Sequence, residues 1–193
     1  MSLTIYTEPT REPLLLEETK LHCRVDTDDD DTLILGLITA AREQAEATTR
    51  RALITQTWDL VMDAFPGEDR IELPLPPLQS VTSITYVDSD GNTNTFSSSK
   101  YIVDTDSEPG RVVLVTGESW PSDTLRAAAG VTVRFVCGYG DAASDVPRSI
   151  RQGMLLAVGH WYENREATVG VGNMQVLPMG VEALWWPYRV FSF

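Results

Sequence analysis

The chain has 193 residues, 42% of them hydrophobic, and its 15 basic against 28 acidic residues leave a net charge of −13. That length supplies one domain, or a domain with a large insertion, and a real hydrophobic core. The acidic balance excludes wrapping of DNA on a basic surface, which needs cations on the protein. No apolar run reaches the roughly 18 residues of a membrane-spanning helix.

Residues 1–16 read as irregular, with Pro9 and Pro13 as breakers. The first residues lack the basic and apolar regions of a signal peptide, so a cytoplasmic setting is expected. There Cys23 and Cys137 are expected as thiols rather than a bridge. Glu17 to Arg24 reads as a short helix, its acidic start and basic end suiting the helix dipole. Asp26 to Asp31 is rich in aspartate and is expected to cap an amphipathic helix over roughly 28–50.

From Thr55 to Gly140 the pattern turns to about six short strands. Trp58 to Asp63 alternates loosely, and Pro74, Pro76 and Pro77 punctuate a turn. Val81–Asp88, a two-residue Asp90-Gly91 turn and Asn92–Phe96 read as a hairpin. Tyr101–Asp104, Arg111–Val115 and Val131–Cys137 follow. After Pro147 a wide apolar stripe of Ile150, Met154, Leu155, Val158, Trp161 and Tyr162 predicts a long helix to about Arg165. Residues 167–180 read as a Gly-containing loop.

The expected fold class is therefore α+β. A small helical frame (helices about 17–24, 28–50 and 147–165) carries an inserted, mainly antiparallel β domain (about 55–140). Its parts are a helical core of 1–54 and 141–166, the β domain, and an extended C-terminal arm, 167–193.

No chemical motif stands out. An EF-hand loop counted from Asp26 fails, with Asp31 at the glycine position and Leu37 at the glutamate position. Gly138-Tyr139-Gly140 lacks the lysine of a phosphate loop. His22, Cys23 and His160 show no metal-ligand spacing, and no nucleophile elbow occurs. No cofactor, metal or catalytic residue is expected. Two other readings stay open: a ligand- or carbohydrate-binding module around Trp120-Pro121 of the β domain, and an acidic hydrolase using paired carboxylates. Arg50, Arg51 and Arg165 end helices, where they serve either inter-subunit ion pairs or the helix dipoles.

The strongest compositional feature is the end: Leu184, Trp185, Trp186, Pro187, Tyr188, Arg189, Val190 and Phe191. Aromatics with arginine are the composition of an interface hot spot. Either this segment folds onto its own core or it docks into another subunit. On the docking reading, replacing Trp185 and Trp186 together by alanine leaves a folded protein that fails to attach.

In order and spacing, several motifs resemble the head–tail connector proteins of long-tailed bacteriophages, prophages and gene transfer agents. They are Lys20-x-His22-x-Arg24-Val25-Asp26, Ile38-x-Ala40-Ala41-Arg42-Glu43 and Arg51-Ala52-Leu53-Ile54-Thr55-Gln56-Thr57-Trp58. Leu73-Pro74-x-Pro76-Pro77-Leu78, Tyr86-x-Asp88-x-Asp90-Gly91, Val146-Pro147-x-x-Ile150 and His160-Trp161-Tyr162-Glu163-Asn164-Arg165-Glu166 continue the series. Leu177-Pro178-x-Gly180-Val181-x-Ala183-Leu184 and Pro187-Tyr188-Arg189 complete it, so the likeness spans roughly 15–191. Cys23 departs from it, standing where leucine is more typical.

The resemblance implies a non-enzymatic adaptor of the virion's head–tail interface, made in the host cytoplasm. About a dozen copies would ring the underside of a portal protein, extend the DNA channel without sequence-specific binding, and receive a tail-completion protein. It assigns the portal anchor to Leu184, Trp185, Trp186, Pro187, Tyr188, Arg189 and Phe191, with no role for a membrane. A net acidic lumen would let DNA slide without sticking.

Overall fold

The computed structural model describes residues 1–165 and 179–191. The chain forms two compact units. One is built from Met1–Thr10 and Thr55–Gly138, the other from Arg11–Ile54 and the described residues from Tyr139 onward.

The first unit is β. A five-stranded antiparallel sheet runs in the order β1 (Ser2–Thr7), β2 (Gln56–Met62), β8 (Val131–Cys137), β4 (Leu78–Val87), β5 (Thr93–Phe96). A second sheet pairs β3 (Arg70–Leu73), β7 (Gly110–Leu114) and β6 (Tyr101–Asp104), also antiparallel. β8 shows why the sheet forms: Val131, Val133, Phe135 and Cys137 are fully buried on one face, with Thr132, Arg134 and Val136 on the other. Leu60, Ile84, Leu73, Val112, Phe96 and Tyr101 add to this core. The Phe96 and Tyr101 rings stack at 5.9 Å and join the two sheets.

Three features of this unit correct the sequence reading, the first being β3, a four-residue strand that was not expected. The N-terminal stretch is not irregular: Ser2–Thr7 pairs with β2, and the short alternation of Leu3 and Ile5 was outweighed by the nearby prolines. The hairpin turn has three residues rather than two. Asp88 pairs with Asn92, Gly91 N–H donates to the Asp88 carbonyl at 3.1 Å, and Gly91 takes φ +88°. The Asp88 carboxylate accepts from the Asp90 and Asn92 amides at 3.0 and 2.8 Å, which favours the longer loop.

The second unit is helical: α1 (Leu16–Cys23), α2 (Asp31–Thr49), α3 (Arg148–Glu163) and α4 (Met179–Trp185). α2 buries Ile34, Ile38, Ala41, Ala45 and Thr49, one stripe at helical spacing. α3 turns Ile150, Gly153, Met154, Ala157 and Val158 to the same core, which Leu14, Leu53, Ile54 and Val146 complete. α4 has no counterpart in the sequence reading, where an extended arm was expected. Val181 and Trp185, one helical turn apart, are buried in that core. Of the Gly-containing loop expected over 167–180, residues 167–178 lie outside the described residues, while Met179 and Gly180 open α4.

Candidate functional site

The C-terminal segment divides into an inward and an outward set. Trp185 is 1% exposed, and its Nε1–H donates to the Ile150 carbonyl of α3 at 3.1 Å. Pro187 stands in the first turn of a short 3-10 helix, Trp186–Tyr188, which ends α4. The chain then returns to the end of α2: Val190 N–H donates to the Thr49 carbonyl at 2.9 Å, and Arg51 Nε donates to the Tyr188 carbonyl at 2.5 Å. Leu184 and Tyr188 are half-buried against the helical core.

The outward set is compact. Trp186 is 59% exposed and Phe191 53% exposed, and their rings meet edge to face at 5.8 Å. The Arg189 guanidinium lies 5.5 Å from each ring centroid. A cation lodged between two aromatic rings at the surface suits an interface. Of the residues proposed as an anchor from sequence, Trp186, Pro187, Arg189 and Phe191 are thus exposed, while Trp185 is a core residue. Sequence reasoning did not separate the two tryptophans because α4 was not foreseen. The signal was there: Val181 and Trp185 stand at i, i+4.

The three arginines differ equally. Arg50 ends α2 in the left-handed region (φ 57°) and is exposed. Arg51 is buried and braces the C-terminal segment. Arg165 pairs with Asp30 at 2.8 Å and lies over the Tyr162 ring.

The aspartate run does not cap α2 by side-chain hydrogen bonds. It closes instead on Lys20, whose side chain is 9% exposed and whose Nζ lies 2.6 Å from Asp28 and 2.7 Å from Asp31. The Lys20 hydrogen bond holds the Asp28 carboxyl below the usual range and raises the Lys20 amine. Asp30 accepts from the Tyr162 hydroxyl at 2.5 Å and from Arg165; both keep its carboxyl low, and Asp30 pushes the phenol up. These carboxylates are thus paired with cations of the chain itself. Lys20, one of only two lysines, was the signal the sequence reading passed over.

In the β unit, Trp120 stacks on Phe65 at 5.1 Å with the planes 10° apart and donates to the Glu68 carbonyl at 2.7 Å. Its ring packs against the unit's own aromatic cluster, Phe65 and Phe96. The neighbouring depression, about 460 Å³, is lined by Asp63, Phe65, Pro121, Ser122, Asp123 and Arg126 among others. Among the described residues, no group of His, Cys, Asp and Glu could hold a metal ion, and no helix is long and apolar enough to cross a membrane.

Comparison with known proteins agrees with this architecture. A family model described as phage gp6-like head-tail connector protein matches residues 14–107. A solved structure described as the neck of an empty gene transfer agent (GTA) particle, computed with C6 symmetry, holds a chain 25% identical to this one. Its TM-score is 0.83, covering 100% of this chain and 97% of that one. Chains from a native GTA virion and from the neck of a native GTA particle computed with C12 symmetry are each 24% identical, with TM-scores of 0.81 and 0.80. Both matches also cover 100% of this chain and 97% of the other. No curated protein matches the chain. A structural connector is what both the motifs and the fold resemble: residues 14–107 match the phage gp6-like head–tail connector family, and the whole chain is similar in fold to a chain of a GTA neck.

Proposed function

We propose that copies of this chain form a ring of about a dozen under a portal protein, at the head–tail interface of a virion or gene-transfer particle. The ring extends the DNA channel and offers a platform for the next tail-completion protein. The observation that carries this reading is the end-to-end match to a chain of a particle neck, 100% of one and 97% of the other. The C12 symmetry of a second such neck supports the copy number. Cyclic symmetry needs a head-to-tail contact that closes by rotation.

In this reading the exposed surface of residues 186–191 meets the portal. Trp186, Arg189 and Phe191 dock, with Pro187 beside them and Leu184 and Tyr188 as the base. Trp185 fastens the segment to its own unit. Arg50 is the arginine free in geometry to meet a neighbouring copy, since Arg51 and Arg165 hold contacts within their own chain. The net charge of −13 supports a lumen that repels DNA and lets it pass. The test is co-assembly with the cognate portal, read by electron microscopy. A ring seated on the portal supports the reading, and a lumen lined by arginine contradicts the non-stick channel.

A further inference from the structure

The five-stranded sheet ends in two different edges, β1 and β5, each paired on one side alone. Neither strand carries a charged side chain: Ser2-Leu3-Thr4-Ile5-Tyr6-Thr7 and Thr93-Asn94-Thr95-Phe96. The uncharged stretch around β5 runs from Gly91 to Ser99, in a chain where 22% of residues are charged. Exposed edges usually carry lysine, proline or an inward charge that blocks pairing with another chain. These two have none of those guards. β1 is exposed at every residue but Leu3, with Tyr6 at 58%. Its one irregularity, a bulge between Ile5 and Thr7, leaves a regular run of Ser2–Ile5. That run matches the four residues of β5.

The geometry also fits. Every neighbouring pair in the order β1-β2-β8-β4-β5 is antiparallel, so β1 and β5 point the same way. Side by side in adjacent copies they make a parallel pair. Such a contact joins two unlike surfaces, the kind that propagates head to tail. A β1–β1 contact would stop at a dimer. Copies that each carry −13 repel one another. A contact made by backbone hydrogen bonds between two uncharged strands is where they meet at least electrostatic cost.

We propose that the β5 edge of one copy pairs with the β1 edge of the next, so that the sheet continues from subunit to subunit. The proposal rests on the ring reading above. Ser2, Thr4, Thr93 and Thr95 share one face of the sheet, as the rows Ser2–Val61–Thr132–Thr85–Thr95 and Thr4–Asp59–Arg134–Ser83 show. Cysteines on facing strands come close enough to bridge.

The experiment uses full-length Thr4→Cys/Thr95→Cys, Thr4→Cys/Thr93→Cys and Ser2→Cys/Thr95→Cys, assembled on the cognate portal and oxidised mildly. A ladder of covalent multimers is expected on a non-reducing gel for at least one double variant, and no ladder for any single variant. Wild-type rings visible by microscopy with no ladder from any double variant overturn the edge pairing while leaving the ring intact. Covalent dimers from Thr4→Cys alone overturn it too, since they show like edges meeting. If wild-type protein forms no ring on the portal, the ring reading fails and this contact falls with it.

Discussion

Trp185 packs directly on Gly153 of α3: a Cβ at position 153 would collide with the indole Nε1 and lie 2.9 Å from Cδ1. The glycine makes room for the ring, and the ring in turn donates to the Ile150 carbonyl one turn away. Alanine at 153 gains about 1 kcal/mol of helix propensity. Overpacking against a fully buried ring costs about 1–3 kcal/mol. Gly153→Ala is therefore expected to lower stability in urea denaturation and to alter the near-ultraviolet dichroism of tryptophan. A gain in stability would show that α4 does not sit against α3.

The two adjacent tryptophans are expected to behave oppositely. Trp185→Ala removes a buried ring and its hydrogen bond, at a cost of about 3–5 kcal/mol. Trp186→Ala removes an exposed ring and stays within about 0.5 kcal/mol of wild type. Denaturation midpoints of the single variants check this. The double substitution confounds fold with attachment, so it does not test docking.

Acid weakens the helical unit through its aspartate loop. Asp28 and Asp30 titrate below the ordinary carboxylate range, held there by Lys20 and by Tyr162 with Arg165. A depressed folded pKa contributes stability that is full above the unfolded value, about 3.9. It is lost as pH falls through the folded value. The thermal midpoint is expected to drop below pH 4, and Lys20→Gln, already lower at pH 7, is expected to drop less. The Lys20 amine is raised, so its own contribution persists through mildly alkaline pH. Equal acid sensitivity in both proteins would contradict the pairing.

Arg134 ties the edge strand to the sheet. Its guanidinium takes both Asp59 oxygens at 2.8 Å and lies 3.3 Å from the centroid of the Tyr6 ring. Arg134→Ala is expected to speed amide exchange over residues 2–7 while β8 stays protected, because β1 has a single pairing partner. Arg134→Lys keeps the charge but not the fork or the stack, and is expected to restore little. Unchanged exchange in β1 would leave Arg134 without that role.

The sequence showed most where periodicity was long. α2, α3 and β8 were legible because Ile34/Ile38/Ala41/Ala45, Ile150/Met154/Val158 and Val131/Val133/Phe135 repeat at one period. β1 and β3 were missed, being short and set among prolines or charges. α4 was missed because seven residues with Gly180 carry little helical signal; burial of Val181 and Trp185 forms it. At the C-terminal segment the burial of individual residues was not legible. Composition marked 184–191 as interfacial, yet only tertiary packing decides which of two neighbouring indoles faces inward.

The central claim is that the exposed Trp186–Arg189–Phe191 cluster seats this connector on its portal. The direct test is cryo-electron microscopy of heads assembled with Trp186→Ala/Phe191→Ala, a variant expected to keep the wild-type melting midpoint. The account predicts portal-bearing heads without connector density below the portal, beside fully occupied wild-type particles. Fully seated rings of the variant would contradict it.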